Sequence, residues 1–414
     1  MPNPHSVAAT QTRIARLASL TPVHRAFHWL HLHQPQLRKW QMEMTAISSP
    51  PFGESRRAAW FLDRFLALGL SNVHLDEAGN ALAELAHATA DPDAPCILLS
   101  AHLDTVFPSG TDCRPTESES SPQLLAPGIC DNAAGLTGLL AIAAALRFAH
   151  ITPPIPILFV ANVGEEGEGD LRGMRHLFEH GAYRSRIAAA IALEGSGTTA
   201  VVTRALGSRR FRLTITGPGG HSWSDAGAPN PILILGQLLS ALTHLELPET
   251  PRTTLNVGLI SGGISINSIP ESATAHLDLR STDPEQLVNS EACLRHICDS
   301  FLSRIAPPAT GHAIQITLET IGSRPAATLP DNSPLLQTIR AVDRHLALRT
   351  ELRIGSTDAN LPLSLGLPAV ALGAGGSGGG IHTLQEWYDP TGRETALRRI
   401  LLTVLDTAQI TTPS

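Results

Sequence analysis

The chain has 414 residues, of which 43% are hydrophobic, 16% are charged and 4% are aromatic, and its formal net charge is −7. One hydrophobic core rarely supports a chain of this length, so we expect two domains. The negative charge comes without a basic stripe, which argues against a nucleic-acid partner. No apolar run reaches the ~20 residues that a membrane span requires, so we expect no membrane segment.

The N-terminus and the cysteines both favour a cytoplasmic protein. The opening segment, MPNPHSVAATQTRIARLASL, lacks the unbroken apolar stretch of a secretory signal peptide. The five cysteines form no CxxC pair and indicate no disulfide framework. We therefore expect a cytoplasmic location with free thiols.

Most of the chain alternates helical and strand patterns. Continuous apolar runs predict buried strands, and apolar residues at helical spacing predict the helices between them. Such alternation is typical of an α/β fold with a mostly parallel sheet that helices cover on both faces. The predicted elements are helices at 55–70, 133–149, 333–347 and from about 391, and strands at 95–104, 154–163, 186–195 and 368–373.

A different pattern occupies residues 208–320. Alternating strands and two helices follow one another here in the order strand, helix, strand, strand, helix, strand. This order is the split unit of the ferredoxin-like fold. We therefore expect an α/β domain formed by residues 1–207 and 321–414, interrupted by a smaller α+β domain.

Acidic residues and histidines follow the ends of the predicted strands. Because the carboxyl ends of parallel strands meet at one edge of a sheet, we expect these side chains to converge. Two imidazoles and several carboxylates, without a thiolate, suit zinc, cobalt or manganese. The residues concerned are His102, Asp104, Asp131, Glu165, Glu166, Glu194 and His382.

The spacing of these residues indicates different roles. One ring nitrogen of His102 can bind a metal while Asp104 accepts a hydrogen bond from the other and fixes the tautomer. Glu165 and Glu166 cannot both point the same way from an extended backbone, so one can bind metal while the other acts as general base. Two ions ~3.5–4 Å apart need a bridging carboxylate, for which Asp131 is the best candidate.

An ordered set of motifs between about residues 55 and 395 resembles the co-catalytic zinc amidohydrolases and exopeptidases. That family includes glutamate carboxypeptidase, acetylornithine deacetylase, succinyl-diaminopimelate desuccinylase, aminoacylase and the tripeptide aminopeptidases. Each motif alone is weakly specific, but their order and the position of the insertion agree with the family. The motifs are HLDTV, GICDNAAGLTGLL, GEEGEGDLRG, LEG, GPGGHSWSDAG, GGISINSIPESATAHLDLR, GSTDANLPLSLGLPAVALG and GGGIHTLQEW.

The resemblance implies two divalent ions per chain, zinc in the first place, with cobalt or manganese as alternatives. It implies that Glu165 is the general base for a metal-bridged water and that the Asp131–Asn132 peptide bond is cis. Many relatives carry Asp at the position of Glu194, and either residue can bind a metal. The implied ligands are His102 and Glu194 for one ion, Glu166 and His382 for the other, and Asp131 as the bridge.

For the inserted domain, the resemblance implies a lid that also forms a homodimer. His221, which follows GPGG, would reach the active site of the partner subunit and donate a hydrogen bond to the oxyanion of the reaction. Asn267 and Arg280 would face the substrate, with Arg280 holding a free carboxylate through two hydrogen bonds.

These expectations together predict hydrolysis of an amide or peptide bond in a small N-acyl amino acid or short peptide. Arg280 favours a substrate with a free α-carboxylate. Asp170, in GEGD, would instead suit the free amino terminus that a tripeptide-type aminopeptidase requires, and the sequence leaves both alternatives open.

Two rival classes are weaker. A catalytically dead binding or scaffold relative would lack a metal ligand, and all five are present. The GGSGG segment at 375–379 matches the GxSxG motif of serine hydrolases, but no helical pattern follows Ser377, as the nucleophile turn requires.

Overall fold

The computed structural model describes residues 7–88, 91, 93–304 and 314–410. Residues 1–6, on which the expected absence of a signal peptide partly rests, and residues 305–313 of the predicted inserted domain lie outside this range. Among the described helices, none combines the length and the apolar character needed to cross a bilayer. The chain divides into two compact units, one formed by Met1–Ala205 with Thr328–Ser414 and the other by Leu206–Ala327.

The helices are α1 (Val7–Ala18), α2 (Thr21–Leu32), α3 (Gln34–Thr45), α4 (Ser55–Ala67), α5 (Ala133–Phe148), α6 (Arg172–Glu179), α7 (Pro231–Leu242), α8 (Pro284–Arg304), α9 (Pro334–His345), α10 (Asn360–Ser364) and α11 (Arg393–Ile410). The strands are β1 (Ser71–Leu75), β2 (Ala81–Glu84), β3 (Cys96–His102), β4 (Thr116–Glu117), β5 (Leu124–Leu125), β6 (Ile157–Asn162), β7 (Ile187–Leu193), β8 (Ala200–Ala205), β9 (Gly207–Thr216), β10 (Gly220–His221), β11 (Thr253–Gly262), β12 (Ser268–Ile269), β13 (Ser272–Ser281), β14 (Gln315–Arg324), β15 (Ala327–Thr328), β16 (Glu351–Gly355), β17 (Ala369–Leu372), β18 (Ser377–Gly379) and β19 (Trp387–Asp389).

The first unit is built on a mixed sheet with strands in the order β1-β2-β6-β3-β7-β17-β8, and β16 pairs with β8. The central strands β6, β3, β7 and β17 are parallel, whereas β1 and β2 add an antiparallel edge. The central strand β3 is buried along its whole length, and α5 and α11 pack against it. Burial on both faces explains its continuous apolar sequence. The mostly parallel sheet flanked by helices is therefore confirmed.

The register of the central strands brings their carboxyl ends to one edge. His102 of β3 pairs with Asn162 of β6, and Leu193 of β7 pairs with Leu372 of β17. A smaller antiparallel sheet, in the order β18-β19-β5-β4, lies in the same unit. Ser377 begins β18 and pairs with β19, so GGSGG does not form the strand-to-helix turn of a serine hydrolase.

The second unit contains an antiparallel sheet with strands in the order β11-β13-β9-β14. Helices α7 and α8 pack against β9 and β13, and the core includes Phe211, Leu235 and Leu277. The connectivity and strand order are those of the ferredoxin-like fold. Strand β14 continues to Arg324, past the predicted boundary at residue 320, because its pairing with β9 runs to Ser208.

Candidate metal centre

The predicted metal ligands converge at the carboxyl edge of the central strands. They form two groups that share Asp131, and within each group the potential ligand atoms lie within 4.8 Å of one another. The first group is His102, Asp131 and Glu194, and the second is Asp131, Glu166 and His382. The chain segments that supply them are β3 for His102, the segment after β6 for Glu166, the residue after β7 for Glu194, the segment before α5 for Asp131 and the β18–β19 connection for His382.

In the first group, two carboxylates face one imidazole nitrogen. His102 Nε2 lies 3.1 Å from Glu194 Oε1 and 3.2 Å from Asp131 Oδ1. A ring nitrogen has one proton or one lone pair, so it cannot serve both oxygens well. Asp131 Oδ1 and Glu194 Oε2 are buried and make no hydrogen bond. Orphaned buried oxygens beside a buried imidazole are what a cation site requires.

The second group repeats this arrangement. His382 Nε2 lies 3.1 Å from Asp131 Oδ2 and 3.1 Å from Glu166 Oε1. Asp131 thus directs one carboxylate oxygen at each histidine. The Asp131–Asn132 peptide bond is cis, as the resemblance implied.

The separations of these atoms fit bound metal. Tetrahedral zinc with bonds of about 2.0–2.1 Å holds its ligand atoms about 3.3 Å apart, close to the 3.1 and 3.2 Å found in the first group. Nitrogen and oxygen ligands without a thiolate also suit cobalt or manganese. The residues present therefore fit a pair of divalent cations on either side of Asp131.

The carboxylates of the site raise the pKa values of both histidines. Burial alone would lower the pKa of His102, but the surrounding carboxylates, Glu194 foremost, raise it well above its usual value. Hydrogen bonds to Asp131 and Glu166 raise the pKa of His382 to about 10. Burial raises the pKa of Glu194 to about 7, against the lowering effect of His102. In the absence of metal, protons thus take the place of cations.

The role predicted for the Asp104 carboxylate needs correction. His102 Nδ1 donates to the main-chain oxygen of Asp104 at 3.0 Å, while the carboxylate lies 3.7 Å away. The main-chain oxygen therefore fixes the tautomer and leaves Nε2 free for a metal. The carboxylate instead accepts hydrogen bonds from the N–H groups of Glu165 and Glu166, at 3.0 and 2.7 Å. Asp104 thus positions the glutamate pair.

The expectation that Glu165 and Glu166 point apart is also wrong. Both carboxylates have an oxygen within 4.8 Å of a His102 ring nitrogen and of each other. Glu166 is itself extended, and the chain turns on either side of the pair, at Gly164 with a φ of +66° and in the 3-10 helix of residues 167–169. Only Glu166 also joins Asp131, which leaves Glu165 outside both groups that share Asp131.

In the second unit, His221 and Asn267 lie together. His221 belongs to β10, which pairs with β12 in a two-stranded ribbon, and Asn267 immediately precedes β12; the N–H of Ser222 donates to the main-chain oxygen of Asn267 at 3.0 Å. His221 Nδ1 accepts from the N–H groups of Trp223 and Ser224, at 3.2 and 3.3 Å. A neutral His221 therefore carries its proton on Nε2. The side chains of His221 and Asn267 are both exposed.

Arg280 lies apart from this ribbon. It is near one end of β13, whereas Ser272, at the other end, follows the ribbon in the chain. The eight-residue separation along the strand corresponds to about 26 Å. Arg280 Nε donates to Asp278 Oδ2 at 2.6 Å. Within one unit, the structure therefore does not bring Arg280 and Asn267 together, although both were expected to face the substrate.

Arg57, which the sequence analysis did not single out, lies directly behind the site. Its guanidinium is fully buried in α4 and donates to the main-chain oxygens of Leu103, at 2.7 Å, and Ile47, at 3.1 Å. Leu103 lies between His102 and Asp104 in the chain, so this contact holds the backbone that carries both residues. Arg57 lies one helical turn before Phe61, on the apolar face of α4. A charged residue at an apolar position of the helix was the signal that the sequence offered.

Glu386 was also missed. It is fully buried, and its two carboxylate oxygens accept hydrogen bonds from three main-chain N–H groups in the loop that ends at Asp131. Burial raises the pKa of Glu386 to about 7, although these three hydrogen bonds lower it. Its position four residues after His382, within GGGIHTLQEW, was the available signal.

Known proteins resemble this chain in sequence and in fold. The profile of Peptidase family M20/M25/M40 matches residues 98–406. A probable carboxypeptidase from Aspergillus clavatus is 30% identical over 266 residues, which cover 59% of this chain and 57% of the relative. An acetylornithine deacetylase from Myxococcus xanthus is 31% identical over 183 residues, 39% of this chain and 45% of the relative. The chain thus spans about half the length of the curated relatives it matches.

Solved structures share the fold over nearly the whole chain. A tripeptidase from Staphylococcus aureus superposes with a TM-score of 0.71 at 23% identity, covering 90% of this chain and 98% of that one. A dipeptidase from Saccharomyces cerevisiae gives a TM-score of 0.72 at 14% identity, covering 95% and 99%. At these identities the likeness concerns the fold.

Proposed function

The chain belongs to peptidase family M20/M25/M40, and from this premise we propose that it is a metal-dependent hydrolase of small N-acyl amino acids or short peptides. It would cleave an amide or peptide bond. The observation that carries the proposal is the position of Asp131, whose Oδ1 lies 3.2 Å from His102 Nε2 and whose Oδ2 lies 3.1 Å from His382 Nε2. One carboxylate between two imidazoles is the arrangement that a bridged pair of ions needs.

The metals would be two divalent ions, zinc in the first place, with cobalt or manganese as alternatives. When bound, such ions lower the pKa of a water toward neutrality and polarise the scissile carbonyl. The residues that would hold them are His102 and Glu194 on one side, Glu166 and His382 on the other, and Asp131 between.

Glu165 would act as the general base. It is buried beside His102 and Glu166, and its N–H is held by the carboxylate of Asp104. A carboxylate so placed can accept a proton from the attacking water and return it to the leaving amine. His221, with its proton on Nε2, would donate to the oxyanion, a contribution of about 3 kcal/mol for one such donor.

The substrate would carry a free α-carboxylate. The half-exposed guanidinium of Arg280 suits a carboxylate partner, since only its Nε is engaged, by Asp278, among the described contacts. The names of the two curated relatives, a carboxypeptidase and a deacetylase of an amino acid, agree with such substrates. Asp170, the alternative partner for a substrate amine, already accepts a hydrogen bond from Arg175 Nη2 at 3.3 Å. Because an acidic neighbour likewise engages Arg280, these contacts do not rank the two alternatives, and an aminopeptidase is the second candidate.

A homodimer would explain why His221 and Arg280 lie so far apart. A small substrate cannot span the roughly 26 Å of strand that separates the ribbon from Arg280. If Arg280 serves the site of its own chain, then His221 and Asn267 would serve the site of a second copy. Closed two-fold pairing would supply both sites equally.

A hydrolysis panel tests the proposed function. Purified protein would be assayed on N-acetyl, N-succinyl and N-carbamoyl amino acids and on di- and tripeptides, with zinc, cobalt or manganese added and with a chelator as control. We expect chelator-sensitive release of an amino acid from at least one N-acylated substrate. Cleavage confined to peptides with a free amino terminus would favour the aminopeptidase alternative. Less than one bound ion per chain, with no chelator-sensitive hydrolysis, would indicate a non-catalytic scaffold and overturn the proposal.

A further inference from the structure

Asp131 is held in place by a carboxylate that comes from the opposite end of the sequence. Glu386 Oε1 accepts hydrogen bonds from the N–H groups of Cys130 and Asp131, both at 2.8 Å, and its Oε2 accepts from Gly128 at 2.9 Å. Both oxygens of Glu386 are thus engaged by the loop, and Glu386 belongs to neither group of potential metal ligands that shares Asp131. It contacts the site through the backbone of Asp131.

The segment that carries Glu386 also carries His382. The N–H of Ala126 donates to the main-chain oxygen of Glu386 at 3.1 Å, and Leu125 pairs with Trp387 between β5 and β19. The main chain of Glu386 and the residue after it therefore bind the same segment as the Glu386 side chain. This double attachment fixes the distance between the loop that ends at Asp131 and the segment that presents His382.

A second anchor ties Asp131 to the other half of the site. The side chain of Asn132 accepts a hydrogen bond from the N–H of Gly195 and donates one to the oxygen of Leu193, both at 2.9 Å. These two residues flank Glu194 in the chain. The Glu194 side of Asp131 is therefore held without help from Glu386.

We propose that Glu386 is a positioning residue that fixes Asp131 relative to His382 and thereby completes the half of the site formed by Glu166 and His382. The proposal rests on the proposed function, because it requires that the site bind two ions. Loss of the Glu386 carboxylate would let Asp131 move with respect to His382, while Asn132 would still hold it beside Glu194. The ion on the His382 side would then bind more weakly, and the ion on the His102 side would be largely unaffected.

Metal titration tests this selectivity. Metal-free parent, Glu386→Gln and Glu386→Ala proteins would be titrated with Co²⁺, with bound ions counted after gel filtration and ligand geometry followed by visible absorption. We expect the parent to bind two ions. In Glu386→Gln, the affinity for the ion on the His382 side should fall by about 10–100-fold, and the affinity for the ion on the His102 side should change by less than about threefold. In a His382→Ala background, Glu386→Gln should change the remaining ion's affinity by less than about threefold.

A matched control separates positioning from general stability. Asp406 is also fully buried and accepts hydrogen bonds from Arg13 and Thr338, away from the site. Asp406→Asn should bind two ions like the parent, even if its melting temperature falls. Should Glu386→Ala fail to fold, Glu386→Gln and Glu386→Asp test the role. The affinity of Glu386→Asp for the ion on the His382 side should lie between those of Glu386→Gln and the parent, because aspartate keeps the carboxylate.

Three results would overturn the role of Glu386. These are a Glu386→Gln protein that binds both ions with parental affinity, one that loses both ions to the same degree, and an Asp406→Asn protein that loses the second ion equally. A parent protein that binds no metal at all would instead overturn the proposed function, so the two failures are distinguishable.

Discussion

Among the single side chains of the site, Glu165 and Glu166 are neighbours with different surroundings. Both approach His102, but only Glu166 lies with Asp131 and His382. The base role proposed for Glu165 follows from this difference.

Replacement of Glu165 by Gln tests that role. The amide keeps the size of the side chain but cannot accept a proton from water, so kcat/KM should fall by about 10²–10⁴ while both ions remain bound. Steady-state kinetics and metal analysis on the same samples measure the two quantities. Glu168→Gln, an exposed glutamate of the same segment, is the control and should keep parental activity. Retention of more than about a tenth of the activity in Glu165→Gln would refute the assignment.

The protonation of His102 and His382 predicts a pH dependence of metal binding. The pKa of His382 is about 10 and that of His102 is raised well above normal, so both rings are protonated near neutral pH without metal. A ligand nitrogen must lose its proton, so affinity should rise as pH increases, and on the His382 side it should level off above about pH 10. Calorimetric titration near pH 7 in buffers of different ionisation enthalpy should detect about two protons released, one from each ring. Affinity independent of pH between 6 and 9, with no proton release, would contradict this.

At the level of helices and strands, α4 supports the site through Arg57. The buried guanidinium satisfies two main-chain oxygens, and its own charge has no buried carboxylate within hydrogen-bonding distance among the described contacts. Burial lowers the pKa of Arg57 to about 10, and the neighbouring Cys113 and Asp104 oppose this shift.

Replacement of Arg57 by Met should therefore destabilise the first unit. The oxygens of Leu103 and Ile47 would be buried without donors, at a cost of about 2–4 kcal/mol in the free energy of unfolding. Urea denaturation of the metal-free protein measures this cost. Arg56→Met is the matched control, since Arg56 is exposed on the same helix and should change stability by less than about 0.5 kcal/mol. Equal stabilities of the two variants would show that Arg57 does not support the site.

The sequence predicted the elements whose pattern is dictated by burial. Strands β3, β6 and β7 have continuous apolar sequences because both faces are covered, and their ends therefore identified His102, Glu166 and Glu194. Strand β1 was not predicted, because it is short and mostly exposed and carries no period-two signal. Local pattern reveals which residues are buried along one element, and it is strongest where an element is buried on both sides.

Contacts between distant segments could not be predicted in this way. Glu386 and Cys130 are 256 residues apart, and no local periodicity links them. The approach of both Glu165 and Glu166 to His102 is likewise a contact between distant segments, which the local pattern does not contain. The main-chain oxygen of Asp104, rather than its carboxylate, binds His102 for the same reason: side-chain identity does not determine which backbone atoms come close.

For the complete chain, strand β11 offers a surface for the proposed dimer. It lies at the edge of the second unit's sheet, and three of its apolar side chains, Val257, Leu259 and Ile260, are 41%, 65% and 64% exposed. Exposed apolar edge strands pair readily with another chain. Two copies of β11 could therefore join edge to edge.

A charge on this edge should prevent the dimer. Ile260→Lys should yield a monomer by sedimentation velocity, because two-fold pairing would bring two lysines into an apolar contact. If His221 acts in the partner's site, activity should fall together with dimerisation. Val288→Lys, at an equally exposed apolar position on α8, should remain dimeric and active. A parent protein that is monomeric and fully active would contradict both the dimer and the role of His221 in trans.

Anomalous diffraction at the zinc edge, from crystals grown with zinc, tests the metal centre itself most directly. We predict two peaks, one beside His102 and Glu194 and the other beside Glu166 and His382. Each peak should lie about 2.0–2.2 Å from a different oxygen of Asp131. A single peak, or two peaks that do not share Asp131, would contradict the bridged pair of ions on which the proposed hydrolysis depends.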